Sequence, residues 1–270
     1  MWGIKGGVGK STTSALISAS AAAKAKRRVL LIDADFRDGA SRFFLGEEAR
    51  NLKGWYDVLE VGGELDKFIH TLYNGYLHVI PSGTIESAIK YSAEIAEHGI
   101  EYAAKKVAET LFTISEYYDL IVMDTPAASF ADIPILKCVI SSLDAKSVLL
   151  SQASIVEIER TLKVAEVTMG FLPKAFVINQ VNPRTIADPN ERRMLINEVL
   201  NITSRKIKTL VILFMTRLYR RIDWGSLEVN MLLDCIAYLL WKKGRGQACM
   251  TVTRGLLDME LVKAIAEIEW

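Results

Sequence analysis

Nine consecutive residues carry the clearest chemistry in the chain: Lys5-Gly6-Gly7-Val8-Gly9-Lys10-Ser11-Thr12-Thr13. Glycines let a backbone wrap an anion at dihedrals that residues with a Cβ avoid, and they allow successive N–H groups to face inward. A helix beginning near Lys10 aims the positive end of its dipole at the same anion. In that arrangement the Lys10 ammonium reaches the β- and γ-phosphates of a nucleotide. The Ser11 hydroxyl is placed to ligate Mg²⁺, and Thr12 to donate to the α-phosphate. The general phosphate-loop pattern asks for Gly or Ala five residues before Gly9; Ile4 stands there instead.

Two apolar runs end in acids. Leu30-Leu31-Ile32-Asp33-Ala34-Asp35 spaces its carboxylates two residues apart, so that along a strand both share one face. Asp119-Leu120-Ile121-Val122-Met123-Asp124-Thr125-Pro126 ends in a single acid and a turn. In open parallel sheets the carboxyl ends of the strands line the ligand crevice, which is where such acids meet a metal or a water. Helix-capping aspartates give the same local pattern as the Asp33/Asp35 pair. A third run, Ala175-Phe176-Val177-Ile178-Asn179, ends in a residue whose amide carries both a donor and an acceptor; an Asn in a turn reads the same way.

The string KGGVGKST, followed in this order by the two acid-ended strands, resembles the deviant Walker A motif of the ParA/MinD superfamily, which also includes nitrogenase iron proteins and arsenite-pump ATPases. The resemblance implies an ATPase that uses ATP and Mg²⁺ and forms a homodimer around two ATP molecules. It implies a catalytic set of Lys5, Lys10 and Asp35, with Lys5 reaching the partner subunit's phosphates much as an arginine finger does. Gly6, Gly7, Val8, Gly9, Lys10, Ser11 and Thr12 would hold the phosphates, and Asn179 would read the adenine edge. Ser11, Asp33 and Asp124 would support the metal, while Asp35 orients the attacking water. Thr125-Pro126 resembles the family's switch segment, and Leu77-His78-Val79-Ile80-Pro81-Ser82-Gly83 one of its strand ends. Phe36-Arg37 departs from the Pro-Gln usual in the plasmid-partition branch and is closer to the MinD branch and to bacterial tyrosine kinases. The likeness runs from Lys5 to about Asn179 and more faintly to Ser226.

These residues need a scaffold that brings several strand ends together. Short Val/Ile/Leu runs alternate with longer amphipathic segments, the pattern of an α/β, doubly wound, mostly parallel sheet of the P-loop type with helices on both faces. Strands are expected at residues 29–33, 77–80, 120–124, 147–150, 175–179 and 209–214. Helices are expected at 10–26, 85–117 with a break at His98-Gly99, 133–141, 154–169 and 189–201. The first strand has only Met1 to Ile4, short against the usual 5–6 residues. After Arg221 the alternation stops, and 228–241 and 255–268 read as two terminal helices. The expectation is one domain over 1–270, with a helical appendage from about 227.

Composition narrows the function. The 270 residues are 50% hydrophobic with a formal net charge of +1, enough for a large core and too balanced for a global field that draws the chain to nucleic acid or lipid. Cys138, Cys235 and Cys249 form no CxxC pair, and His70, His78 and His98 form no metal motif, which suits a reducing cytoplasmic location. No apolar run is long enough to span a bilayer.

A local basic patch remains: Arg205, Lys206, Lys208, Arg217, Arg220 and Arg221, with no acid between Ser204 and Ile222. Phosphate neutralisation needs no more than such a patch; an ordinary solvated basic face has the same composition. Partition ATPases of the resembled family bind non-specific DNA through basic C-terminal surfaces and answer to a ParB-like adaptor, so DNA partition is the expected role. The alternative is a MinD-like cell-division ATPase acting at the membrane. Against it, the last predicted helix sets Asp258, Glu260, Glu267 and Glu269 against Lys263, a charge balance that anionic lipid repels.

Overall fold

Val-Leu-Leu-Ile-Asp at 29–33 is buried at every position, and that burial on both faces organises the N-terminal sheet. The structure is a computed structural model and describes residues 1–61, 65–127, 133–170, 172–218, 221–241 and 248–250. The chain divides into two compact units, one of Met1–Ile4 with Lys10–Lys146, the other of Lys5–Gly9 with the residues from Ser147 onward.

The first unit runs α1 (Lys10–Ala23), β1 (Val29–Asp33), α2 (Arg42–Leu45), α3 (Trp55–Val61), β2 (His70–Leu72), β3 (Leu77–Ile80), α4 (Ile85–His98), α5 (Ile100–Ser115), β4 (Leu120–Asp124) and α6 (Ile133–Ser142). Its sheet has the order β2-β3-β1-β4, with β3, β1 and β4 parallel and the edge strand β2 antiparallel. The register sets Asp33 opposite Asp124, so both acid-ended strands finish at one level. Leu30, Ile32, Trp55, Leu59 and Ile80 pack with Ala104, Val107 and Leu111 of α5. The expected break between α4 and α5 is Gly99 at φ 87, a backbone state open to glycine without a Cβ clash. The Thr84 hydroxyl caps α4 by accepting from the Ser87 N–H at 3.3 Å.

The second unit runs β5 (Val148–Gln152), α7 (Ile155–Met169), β6 (Ala175–Val181), α8 (Pro183–Ala187), α9 (Pro189–Ser204), β7 (Lys208–Leu213), α10 (Leu227–Trp241) and β8 (Ala248–Met250). All four strands are parallel in the order β5-β6-β7-β8. Its core includes Leu149, Leu150, Phe176, Ile178, Ile202 and Val211.

Every expected strand from 29 onward is present, and the α/β class with mostly parallel strands holds. Three details differ. The alternation does not stop after Arg221, because β8 follows α10 and pairs parallel to β7. The segment Met1–Ile4 is not a strand: Trp2 makes an isolated bridge, and Met1 is tied to the end of β4 through Met123 O (2.7 Å) and the Thr125 hydroxyl (2.6 Å). The edge strand β2 is three residues long, too short for a period-2 pattern to stand out. The helix expected at 255–268 lies outside the described residues. Cys138 is a free thiol, whereas Cys235 is disulfide-bonded, which the absence of a CxxC pair and the expected reducing location do not anticipate. Among the described residues no helix is long and apolar enough to cross a membrane.

Candidate functional site

The glycines of Lys5–Gly9 do what their composition predicts. Gly7 and Gly9 take φ values of +73° and +91°, and Val8 between them is buried. Within the second unit this loop is held by side chains at the ends of β5 and β6. Asn179 Nδ2 donates to Val8 O at 2.9 Å, and Gln180 Nε2 donates to Gly7 O at 3.0 Å. Gln152 Nε2 donates to Gln180 Oε1 at 3.2 Å, and the exposed Lys5 Nζ reaches Gln152 Oε1 at 3.5 Å. Gln152 and Gln180 were not among the residues singled out from sequence. The signal that finds them is positional: both stand at carboxyl ends of parallel strands, where site residues of α/β sheets gather.

In the first unit α1 begins at Lys10, as expected, and Lys10 is buried there. Burial lowers its pKa, opposed by the charges of Asp124 and Asp35. Asp124 is fully buried; the Ser14 hydroxyl donates to its Oδ1 at 3.0 Å, while its Oδ2 has no hydrogen-bond partner among the described residues. Burial raises the Asp124 pKa, and the Ser11 hydroxyl and the terminal ammonium pull it down. A buried carboxylate oxygen left without a donor is the arrangement a cation relieves. Among the described residues no three His, Cys, Asp or Glu converge as a metal cage. Mg²⁺ does not need one, since it commonly takes one or two carboxylates plus substrate phosphates. Ser11 and Asp124 therefore fit such an ion.

Asp33 is placed differently from Asp124. Its Oδ1 accepts from the Asp35 N–H at 3.0 Å, and its Oδ2 accepts from the Ser41 N–H at 2.9 Å and the Ser41 hydroxyl at 2.5 Å. Burial, with the Asp124 charge second, pushes its pKa up to about 7 against these three bonds. Its oxygens organise the turn from Asp33 to Ser41, and that turn holds Asp35, half-buried, with Oδ1 accepting from the Arg37 N–H at 3.1 Å. Gly39 permits the turn: a Cβ there would lie 1.8 to 2.2 Å from the Asp33 carboxyl atoms. We expect Gly39→Ala to destabilise the protein by about 1–3 kcal/mol, the range for forced overpacking, measured by urea unfolding. An unchanged midpoint would show that the turn relaxes without cost.

The basic patch is not one set of projecting cations. Arg217 pairs with Asp223 at 2.5 Å and lies 3.8 Å from Glu228. The Lys208 ammonium donates to Leu239 O near the C-terminal end of α10. Arg205, Lys206 and Arg221 are exposed, and Arg220 lies outside the described residues.

A glycine loop opening a helix, with acids at the ends of parallel strands, defines the P-loop class of α/β proteins. The family model AAA_31, an AAA domain, matches residues 1–131. The chromosome partitioning protein ParA of Myxococcus xanthus is 31% identical over 123 residues, 45% of this chain and 41% of that protein. The matches span less than half the length of the curated relatives. Among solved structures, a Cyanothece McdA variant in complex with ATP superposes with a TM-score of 0.65 at 17% identity, over 90% of this chain and 98% of that one. A candidate plasmid partition protein of Borrelia burgdorferi bound to AMPPNP gives 0.62 at 23% identity, over 88% and 95%. The structural likenesses establish the fold. The family match and the curated relatives, ParA proteins among them, give what the first 131 residues are similar to.

Proposed function

We propose that this chain is an ATP-dependent switch ATPase that dimerises around two nucleotides, hydrolyses ATP slowly, and serves DNA partition by binding DNA without sequence preference in its ATP state. The observation that carries the reading is the contiguous Lys5–Thr12 segment: a positive-φ glycine loop leading straight into α1, with Lys10 buried at the head of that helix. Lys10 and the loop N–H groups bind the phosphates. Ser11 and Asp124 hold Mg²⁺, which when bound neutralises charge on the phosphate oxygens. Asp35 orients a water, and Asp33 supports it through the turn it anchors. Lys5, exposed and resting on Gln152, is the group available to reach the partner subunit's phosphates. A ParB-like adaptor would stimulate turnover.

The partition role is favoured over the membrane role by the likeness to the chromosome partitioning protein of Myxococcus xanthus and by the exposed Arg205, Lys206 and Arg221. Titration of a random-sequence duplex with ATP, with ADP and without nucleotide tests it. Three cations from each subunit give about six phosphate contacts in a dimer, so affinity in ATP falls by about 10³ between 50 and 200 mM salt. Changing Arg205, Lys206 and Arg221 together to Glu abolishes that binding and leaves ATP affinity intact. Binding to anionic liposomes with none to DNA, in a protein that still turns over ATP, would replace partition by the membrane reading.

A further inference from the structure

Gln180 adopts φ 60 inside β6, where the pairing with β7 shifts register between Ile178 and Val181. A non-glycine residue held in the left-handed region costs conformational energy and persists only where its surroundings enforce it, as at ligand clamps. In a regular strand Asn179 and Gln180 would point to opposite faces. Here both amides end on one loop, Asn179 on Val8 O and Gln180 on Gly7 O, at 2.9 and 3.0 Å. Gln152 fixes the sense of the Gln180 amide by donating to its Oε1, which leaves Nε2 for the loop.

A trans peptide carries its C=O and its N–H on opposite sides. Anchoring Gly7 C=O and Val8 C=O to β6 therefore turns the next two N–H groups, those of Val8 and Gly9, away from β6. Successive N–H groups facing one way form an anion nest. The approach is close: a Cβ on Gly9 would lie 2.0 Å from Asn179 Nδ2.

We propose that Gln180, with Asn179 and oriented by Gln152, is a positioning residue that pre-shapes the loop for phosphate by pinning its carbonyls. This rests on the nucleotide reading above. It also gives Asn179 a task other than reading adenine.

The two tasks separate with a ligand that has no base. Wild type, Gln180→Gly and Gln152→Ala are titrated with ATP, tripolyphosphate and adenosine. Gln180→Gly removes the amide and accepts φ 60 without strain, so its thermal midpoint does not fall. It weakens ATP and tripolyphosphate by the same factor, about fivefold, as expected for one lost hydrogen bond, and leaves adenosine unchanged. Gln152→Ala, which does not alter β6, shifts the same two ligands by less. Unchanged tripolyphosphate affinity in Gln180→Gly, or a loss confined to adenosine, would overturn the proposal while the nucleotide reading stands. A wild type that binds neither ATP nor tripolyphosphate would overturn both.

Discussion

Lys10→Ala lowers ATP turnover by about 10²–10³-fold, the usual effect of removing one preorganised charge from a phosphoryl-transfer site, and takes ATP affinity with it. The size follows from where the side chain sits. Lys10 is 6% exposed at the first residue of α1, so its charge acts in a medium that screens it little. Burial already lowers its pKa, and the charges of Asp124 and Asp35 oppose that. Lys10→Arg does not rescue, because a planar guanidinium is larger than an ammonium and the position is closed. Phosphate release and calorimetric titration with Mg²⁺–ATP read both quantities. ATP affinity retained in Lys10→Ala would remove the P-loop assignment.

Gly9→Ala weakens ATP by roughly 100-fold. A Cβ in a left-handed conformation costs about 1–2 kcal/mol and the displaced hydrogen bond about 1 kcal/mol, at 1.4 kcal/mol per tenfold. Both sources are visible: φ is +91°, and the new Cβ would stand 2.0 Å from Asn179 Nδ2. Comparing Gly9→Ala in the wild-type and the Asn179→Gly backgrounds separates them, since without Asn179 the methyl meets no amide and only the dihedral strain remains. The substitution costs less in the Asn179→Gly background than in wild type. No cost there would mean that the dihedral costs nothing, and an equal cost in both that the collision relaxes by itself.

Both substitutions act at positions that the linear order of residues singles out, while their magnitudes come from tertiary neighbours. Gly9 is marked by its place before Lys-Ser-Thr, but nothing near it in sequence announces Asn179, 170 residues later. The same holds for the acids. Asp33 and Asp124 are each visible as the end of an apolar run, and the register that sets them side by side is decided by strand pairing. Their environments then diverge: Asp33 has three donors from its own turn, while Asp124 keeps Oδ2 without one among the described residues. Identical side chains at identical strand positions thus carry different capacity for a metal.

The basic patch shows where composition stops being informative. A run free of acids between Ser204 and Ile222 says nothing of Asp223 and Glu228 just beyond it, and those two take up Arg217. Lys208 is spent on a carbonyl at the end of α10. Charge is a property of residues, whereas its availability to a ligand depends on what the fold places within a few ångströms.

The α/β class, six of the strands, the break at Gly99 and the loop that opens α1 are legible in the order of residues alone. These follow from local causes: runs of branched apolar residues bury on both faces of a parallel sheet, and glycine alone tolerates the dihedrals of a tight loop. The rest is set by long-range packing. The three-residue strands β2 and β8 have too little pattern of their own and exist because β3 and β7 present edges to pair with. The roles of Ser41, Gln152 and Gln180 depend on approaches between segments far apart in the chain. No periodicity encodes such approaches, because they are set by packing and by the requirement that buried polar groups find partners.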